Sequence, residues 1–143
     1  MTARVALLIV VAAGCAEHGS TPPGGMVPDA STPETCPTGN SAKIRFEQAT
    51  GCENDGSVEF CIPDNDTALR TQLTAISPAI TCMVGGGRAN CLRTPGLLLC
   101  FYPTAVPGEC VAQNGAMTAA AWSDMCAIAA QSAIVEIVPT FAE

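Results

Sequence analysis

Residues 57–76 read SVEFCIPDNDTALRTQLTAI, and this stretch predicts a strand that leads directly into a helix. In its first part Val58, Phe60 and Ile62 occupy every second position, which is typical of a strand with one buried face. Residues 64–67 (DNDT) then offer side chains that cap helices. The helix is expected to bury the stripe Leu69, Leu73 and Ile76 and to stop at Ser77-Pro78.

Patterns on either side predict four further elements. Residues 79–84 (AITCMV) form a short apolar run and residues 97–102 (LLLCFY) are apolar throughout, which is typical of buried strands. Residues 134–138 (IVEIV) predict a last strand. A second helix should begin after Thr118 as its cap. Its buried stripe would be Trp122, Met125, Cys126 and Ala129.

From residue 57 onward the predicted order is strand, helix, strand, strand, helix, strand, which indicates an α+β domain. This order resembles the ferredoxin-like (βαββαβ) arrangement, which implies two helices on one face of a four-stranded antiparallel sheet. The alternating residues 43–48 (KIRFEQ) predict an extra N-terminal strand. The alternative is an irregular α+β domain organised mainly by its disulfides.

The N-terminal residues have the layout of a secretory signal peptide. A single basic residue, Arg4, precedes the apolar run 5–11. Small residues and Cys15 follow, and the sequence Ala12-Ala13-Gly14-Cys15 resembles the lipobox of bacterial lipoproteins. The resemblance implies cleavage after residue 14 and lipidation of Cys15, for example with palmitate. An ordinary secretory cleavage is the alternative.

The next segment indicates a tether rather than a folded region. Twelve of the twenty residues 16–35 are Gly, Pro, Ser or Thr. As a flexible chain this segment would span roughly 25 Å. In the lipoprotein family a residue such as Ala16 after the cysteine implies the outer membrane. We therefore expect residues 1–14 to be the signal peptide, 15–35 the lipidated tether and 36–143 the domain.

Eight of the nine cysteines fall in the expected domain. They are Cys36, Cys52, Cys61, Cys82, Cys91, Cys100, Cys110 and Cys126. An even number in an exported chain predicts four disulfides, and the absence of closely spaced cysteines and of histidine disfavours zinc. A hairpin turn at Pro95-Gly96 favours a Cys91–Cys100 bridge, and a longer hairpin loop would allow Cys52–Cys61. The position of Cys126 on a buried stripe predicts that one bridge anchors the second helix.

Composition excludes several functions. The net charge of −7 disfavours nucleic acid as a partner, because phosphate requires a basic surface. Only 4% of residues are aromatic, which disfavours a surface that stacks on bases or sugars. The only histidine, His18, lies in the tether, so the domain cannot hold a Ser-His or Cys-His site. We predict no catalytic residue, metal or cofactor.

Two sets of charged residues are the remaining candidates for a site. A carboxylate pair would have to come from Glu53, Asp55, Glu59, Asp64 and Asp66, most of which suit turns and helix caps. The loop that begins with residues 85–87 (GGG) carries Arg88 and, further on, Arg93. Because loops often carry binding residues, these two arginines are the predicted binding candidates.

The sequence therefore favours a monomeric, non-enzymatic binding or structural module at the bacterial outer membrane. Its expected partners are the membrane, through the lipid anchor, and an envelope protein. A carboxylate-only envelope hydrolase and a protease-inhibitor or propeptide-like module are the alternatives. A periplasmic or secreted location is the alternative to anchoring.

Overall fold

The computed structural model describes Cys36 and residues 40–112 and 114–141, which combine two helices with a four-stranded antiparallel sheet. The predicted α+β class is confirmed. The predicted signal peptide, Cys15 and the tether lie outside the described residues. In chain order the elements are β1 (Ser57–Pro63), α1 (Thr67–Ile76), β2 (Thr81–Met83), β3 (Leu97–Pro103), α2 (Ala119–Ala129) and β4 (Ile137–Pro139).

The sheet is built around β1 and β3. Its strand order is β2-β3-β1-β4, and every neighbouring pair is antiparallel. Val58, Phe60 and Ile62 of β1 have no exposed surface, as their alternation predicted. These side chains join both helices in the main core, because all of them point to the same face of the pleated strand.

Both helices begin where the sequence predicted. Asp66 accepts a hydrogen bond from the Leu69 N–H at 2.8 Å, so α1 starts at Thr67. The Thr118 hydroxyl accepts one from the Ala121 N–H at 3.2 Å and starts α2. The predicted stripe of α2 is buried in full: Trp122, Met125, Cys126 and Ala129. In α1, Leu69 and Leu73 are buried and Ile76 is partly buried against the core.

The outer strands differ from their predictions. β2 is restricted to Thr81–Met83, and both of these end residues are exposed because the strand lies at the edge of the sheet. The last strand starts three residues later than predicted, at Ile137. Ile134 is buried beside the end of α2, where its N–H donates to the Gln131 carbonyl at 3.2 Å.

The predicted extra strand at residues 43–48 is wrong. A 3₁₀ helix covers Asn40–Lys43, and only Ile44 forms a β-bridge, with Ile137 of β4. The alternation did identify the inward side chains: Ile44 is buried, and the Phe46 ring meets the Trp122 ring at 6.1 Å. These side chains fill the core, but a single bridge does not continue the sheet.

All eight domain cysteines form disulfides, so the predicted number of four is confirmed. The pairs are Cys36–Cys126, Cys52–Cys110, Cys61–Cys91 and Cys82–Cys100. As predicted, the bridge at Cys126 anchors α2, here to the N-terminal segment at Cys36.

The two predicted pairings, Cys91–Cys100 and Cys52–Cys61, are wrong. Cys91 lies in a short 3₁₀ helix ahead of β3 instead of in a strand paired with it. Since β3 lies between β1 and β2, Cys100 stands opposite Cys82 in the ladder and is bonded to it.

Candidate functional site at the glycine-arginine loop

The loop of residues 84–96 covers the face of the sheet opposite the helices. A second, smaller core there contains Ala89, Cys91 and Leu99. The Cys61–Cys91 bridge joins this loop to the centre of β1. Both faces of the sheet are therefore covered, one by helices and the other by a loop without strands.

Glu59 is the buried charged residue beneath this loop, with 2% of its surface exposed. Its Oε1 accepts a hydrogen bond of 2.6 Å from the Arg88 backbone N–H. Gly87 has φ +54°, and a β-carbon at this position would lie 1.9 Å from the Glu59 Oε2 atom. Glycine is therefore required both by the backbone conformation and by the close approach of the carboxylate.

Glycine-rich loops bind anions through their backbone N–H groups. In this chain the anion on that loop is a carboxylate from β1, since Arg88 N–H donates to Glu59. The loop also closes on itself, because the Cys91 N–H donates to the Gly86 carbonyl at 2.8 Å. These contacts hold the backbone and leave the arginine side chains at the surface.

The two predicted binding residues lie on this same loop, and both are exposed. The Arg88 guanidinium lies 5.3 Å from the centre of the Phe141 ring and donates to the Phe141 carbonyl at 3.4 Å. Within the described ranges the only ion pair joins Arg45 to Glu136. Arg88 and Arg93 therefore form no ion pair with the described acidic residues.

A second charged cluster surrounds Tyr102, whose side chain is fully buried. Its hydroxyl lies 3.0 Å from Asp124 Oδ2 and also contacts Glu109 Oε2. Burial and the hydrogen bond with Glu109 raise the pKa of Tyr102 far above its ordinary value. Burial raises the pKa of Asp124, and the hydrogen bond with Tyr102 partly opposes this.

The Tyr102 cluster was not predicted from the sequence. Tyr102 belongs to β3, Glu109 to the following loop and Asp124 to α2. A phenol carries one hydrogen and can donate it to one carboxylate at a time. The cluster therefore joins three parts of the fold through one hydroxyl. No local pattern indicated this, because Asp124 is separated from Tyr102 by 22 positions.

The carboxylates predicted as candidates for a catalytic pair lie in separate helix-cap, turn and buried positions. Asp66 caps α1, and Glu59 is buried under the loop. Glu53 and Asp55 lie in the turn before β1, and the backbone oxygen of Asp64 accepts from Arg70. In the described part of the chain, no group of three or more His, Cys, Asp and Glu side chains could hold a metal ion.

A shallow cleft of about 380 Å³ lies beside the Cys52–Cys110 bridge. The Asn54 side chain in its wall accepts hydrogen bonds from the Gly56 N–H at 2.8 Å and the Thr104 hydroxyl at 2.6 Å. The described residues that line the cleft include no charged side chain. The cleft therefore offers a neutral surface whose Asn54 amide is already engaged.

Comparison with protein-family models, with curated proteins and with solved structures found no match. Among the described residues, none of the helices has the length and apolar character needed to span a membrane.

Proposed function

We propose that this chain is an exported bacterial lipoprotein, held at the outer membrane through Cys15. Its disulfide-stapled domain is a non-enzymatic binding or structural module. The observation that carries the proposal is the use of the cysteines: eight pair with one another within the domain, which leaves Cys15 outside the four bridges.

The four bridges support export because stable disulfides persist in oxidising compartments. Cys15 follows the small residues Ala12-Ala13-Gly14, where a lipoprotein would be cleaved and lipidated. More than one acyl chain is needed for stable anchoring to a membrane. The short apolar run followed by this cysteine is consistent with such an anchor.

A non-enzymatic role is favoured by the chemistry of the domain. Its sequence contains no histidine, and all eight of its cysteines are bonded, so none is free to act as a nucleophile. The buried Glu59 carboxylate is engaged by the backbone of the glycine-arginine loop that covers it. The exposed arginines of that loop are suited to binding.

For the domain we propose the ferredoxin-like topology. Two features support it: the element order β1-α1-β2-β3-α2-β4 and the sheet order β2-β3-β1-β4. In this arrangement β1 and β3 are central, and each helix connects two strands that are separated by one antiparallel strand. The loop that covers the second face is an addition to that plan.

The anchor is tested by fatty-acid labelling of the full chain in a Gram-negative host. We expect the mature wild-type chain to carry labelled palmitate and its precursor to accumulate under globomycin. Cys15→Ser should abolish the label, whereas Ser20→Ala, a change in the tether, should leave it intact. A mature, unlabelled wild-type chain that is insensitive to globomycin would contradict the anchor.

A further inference from the structure

The glycine-arginine loop and the adjoining edge strand expose aliphatic side chains next to two cations. Met83, Val84 and Leu92 have 55%, 77% and 64% of their surfaces exposed. Leu92 lies close to the glycine run that follows Val84: a β-carbon on Gly86 would lie 3.4 Å from the Leu92 Cδ1 atom. We call Met83, Val84, Arg88, Leu92 and Arg93 the loop surface.

The charge of the loop surface is opposite to that of the domain. Residues 36–141 contain nine Asp and Glu residues against five Lys and Arg, whereas residues 83–96 contain two arginines and no acid. The nearby carboxylate of Glu59 is buried and accepts from the Arg88 backbone. The exposed side chains of residues 83–96 are therefore aliphatic, cationic or, at Asn90 and Thr94, uncharged and polar, and the exposed carboxylate of Asp64 lies near Gly96 at the end of the loop.

We propose that the loop surface docks onto the anionic, phosphate-bearing surface of the membrane that carries the lipid anchor, an inference that rests on the proposed function. Aliphatic side chains beside arginine suit this boundary, because they can enter the headgroup region while the guanidinium groups meet phosphate. A layer of anionic lipid attracts the two cations and repels the acidic remainder of the domain.

The chain between anchor and domain is long enough for this contact. The Cys36–Cys126 bridge places the start of the domain beside α2, on the opposite side of the sheet from the loop. The 21 residues from Cys15 to Thr35 can extend to roughly 70 Å, which exceeds the thickness of a helix layer and a sheet. Anchoring also makes the docking intramolecular, so a weak contact suffices.

The test uses the mature polypeptide without its lipid, residues 16–143, with its four bridges verified by mass spectrometry. Binding is measured by co-flotation with vesicles of phosphatidylglycerol and phosphatidylcholine, and with vesicles of phosphatidylcholine alone. We expect binding to the anionic vesicles only and a loss of binding at high salt. Because no lipid is attached, the result does not depend on whether Cys15 is modified.

Two double variants and a matched control locate the contact. Val84→Ser with Leu92→Ser, and Arg88→Gln with Arg93→Gln, should each reduce the partition coefficient about tenfold. The arginine variant keeps the backbone N–H that binds Glu59. Val111→Ser with Val135→Ser removes valines that are 72% and 78% exposed outside the loop surface, and it should bind as the wild type does.

Three results would overturn the docking proposal: no binding to anionic vesicles, equal binding to both vesicle types, or equal losses in the loop variants and the control. Light scattering without vesicles measures the oligomeric state and so tests the competing explanation, that the loop surface binds a second copy of the chain. A dimer that is lost in the Val84/Leu92 variant would assign the loop surface to a second copy of the chain instead. Labelled Cys15 together with absent vesicle binding would retain the anchor and reject the docking.

Discussion

Glu59 shows how one buried charge determines which residue can stand opposite it. A carboxylate loses hydration when it is buried, and hydrogen bonds to the charged oxygen offset part of that cost. The Arg88 N–H supplies such a bond at 2.6 Å. The close approach leaves no room for a side chain on Gly87, whose backbone also has a positive φ.

Replacing Gly87 by alanine should destabilise the domain more than the same change at Gly108. Both residues have positive φ, so both variants carry the backbone cost of about 1–2 kcal/mol for a non-glycine residue. A β-carbon at Gly108 meets no atom within 4 Å, whereas one at Gly87 collides with Glu59. Urea unfolding should show a loss of about 3 kcal/mol or more for Gly87→Ala and about 1 kcal/mol for Gly108→Ala.

Equal losses at the two glycines would mean that Glu59 moves away without cost, and would contradict its role under the loop. The variant Glu59→Ala with Gly87→Ala tests the same contact independently. Truncation at residue 59 removes the atoms that the new β-carbon would meet, so Gly87→Ala should cost less stability in the Glu59→Ala background than in the wild type.

The Tyr102 hydroxyl connects β3, the loop at Glu109 and helix α2. Asp124 has a raised pKa because it is partly buried there. The folded state consequently holds the Asp124 proton more tightly than the unfolded chain does. This contribution to stability is fully present below the unfolded pKa of about 4 and is lost as the pH rises through the folded pKa.

Asp124→Asn should remove this part of the pH dependence. Urea unfolding across the acidic to neutral range should show the wild type losing stability relative to Asp124→Asn as the pH rises above about 4. Ser123→Ala changes an exposed, non-titrating side chain of α2 next to Asp124 and should retain the wild-type dependence. A difference between wild type and Asp124→Asn that does not vary with pH would contradict a raised pKa at this position.

Sequence reasoning was most successful where the signals are local. Alternation at Val58, Phe60 and Ile62 and the cap residues Asp66 and Thr118 predicted β1 and the helix starts. The apolar run 79–84 led to the prediction that β2 is buried. This prediction failed because an apolar run does not reveal how many neighbouring strands a strand has, and β2 lies at the edge of the sheet. The strand predicted at residues 43–48 is wrong for a related reason, since only one of these residues, Ile44, forms a β-bridge with β4.

The site was predictable to a similar extent. The glycine run indicated a loop, and its arginines were predicted as binding candidates. The carboxylate beneath the loop comes from β1, 29 positions before Arg88, so its contact depends on the assembled fold. Disulfide pairing likewise depends on the assembled fold and could not be read from cysteine spacing: Cys100 is bonded to Cys82, its neighbour in the sheet.

The four disulfide bridges close loops of very different length. Their sequence separations are 90 for Cys36–Cys126, 58 for Cys52–Cys110, 30 for Cys61–Cys91 and 18 for Cys82–Cys100. A bridge restricts the unfolded chain more strongly when it closes a longer loop. The four bridges are therefore expected to contribute unequally to the free energy of unfolding of the domain, although each is a single S–S bond.

Removing the bridges one pair at a time, as double Cys→Ala variants, should reproduce this order. We expect a loss of about 3 kcal/mol for the Cys82–Cys100 pair and about 4–5 kcal/mol for Cys36–Cys126. The midpoint and slope of guanidinium unfolding measure each loss, with the oxidised wild type as reference. The reverse order would show that native contacts around each bridge outweigh the restriction of the unfolded chain.

The Cys36–Cys126 bridge also determines how the protein would respond to a mechanical load. The other three bridges lie between these two cysteines in the sequence, so a pull on both chain ends passes through this S–S bond and bypasses the segment it encloses. Only the 17 residues from Ala127 to Glu143 could be drawn out of the domain, a gain of roughly 60 Å in contour length. A load applied at both ends would therefore draw out β4 while leaving β1–β3 enclosed by a covalent loop.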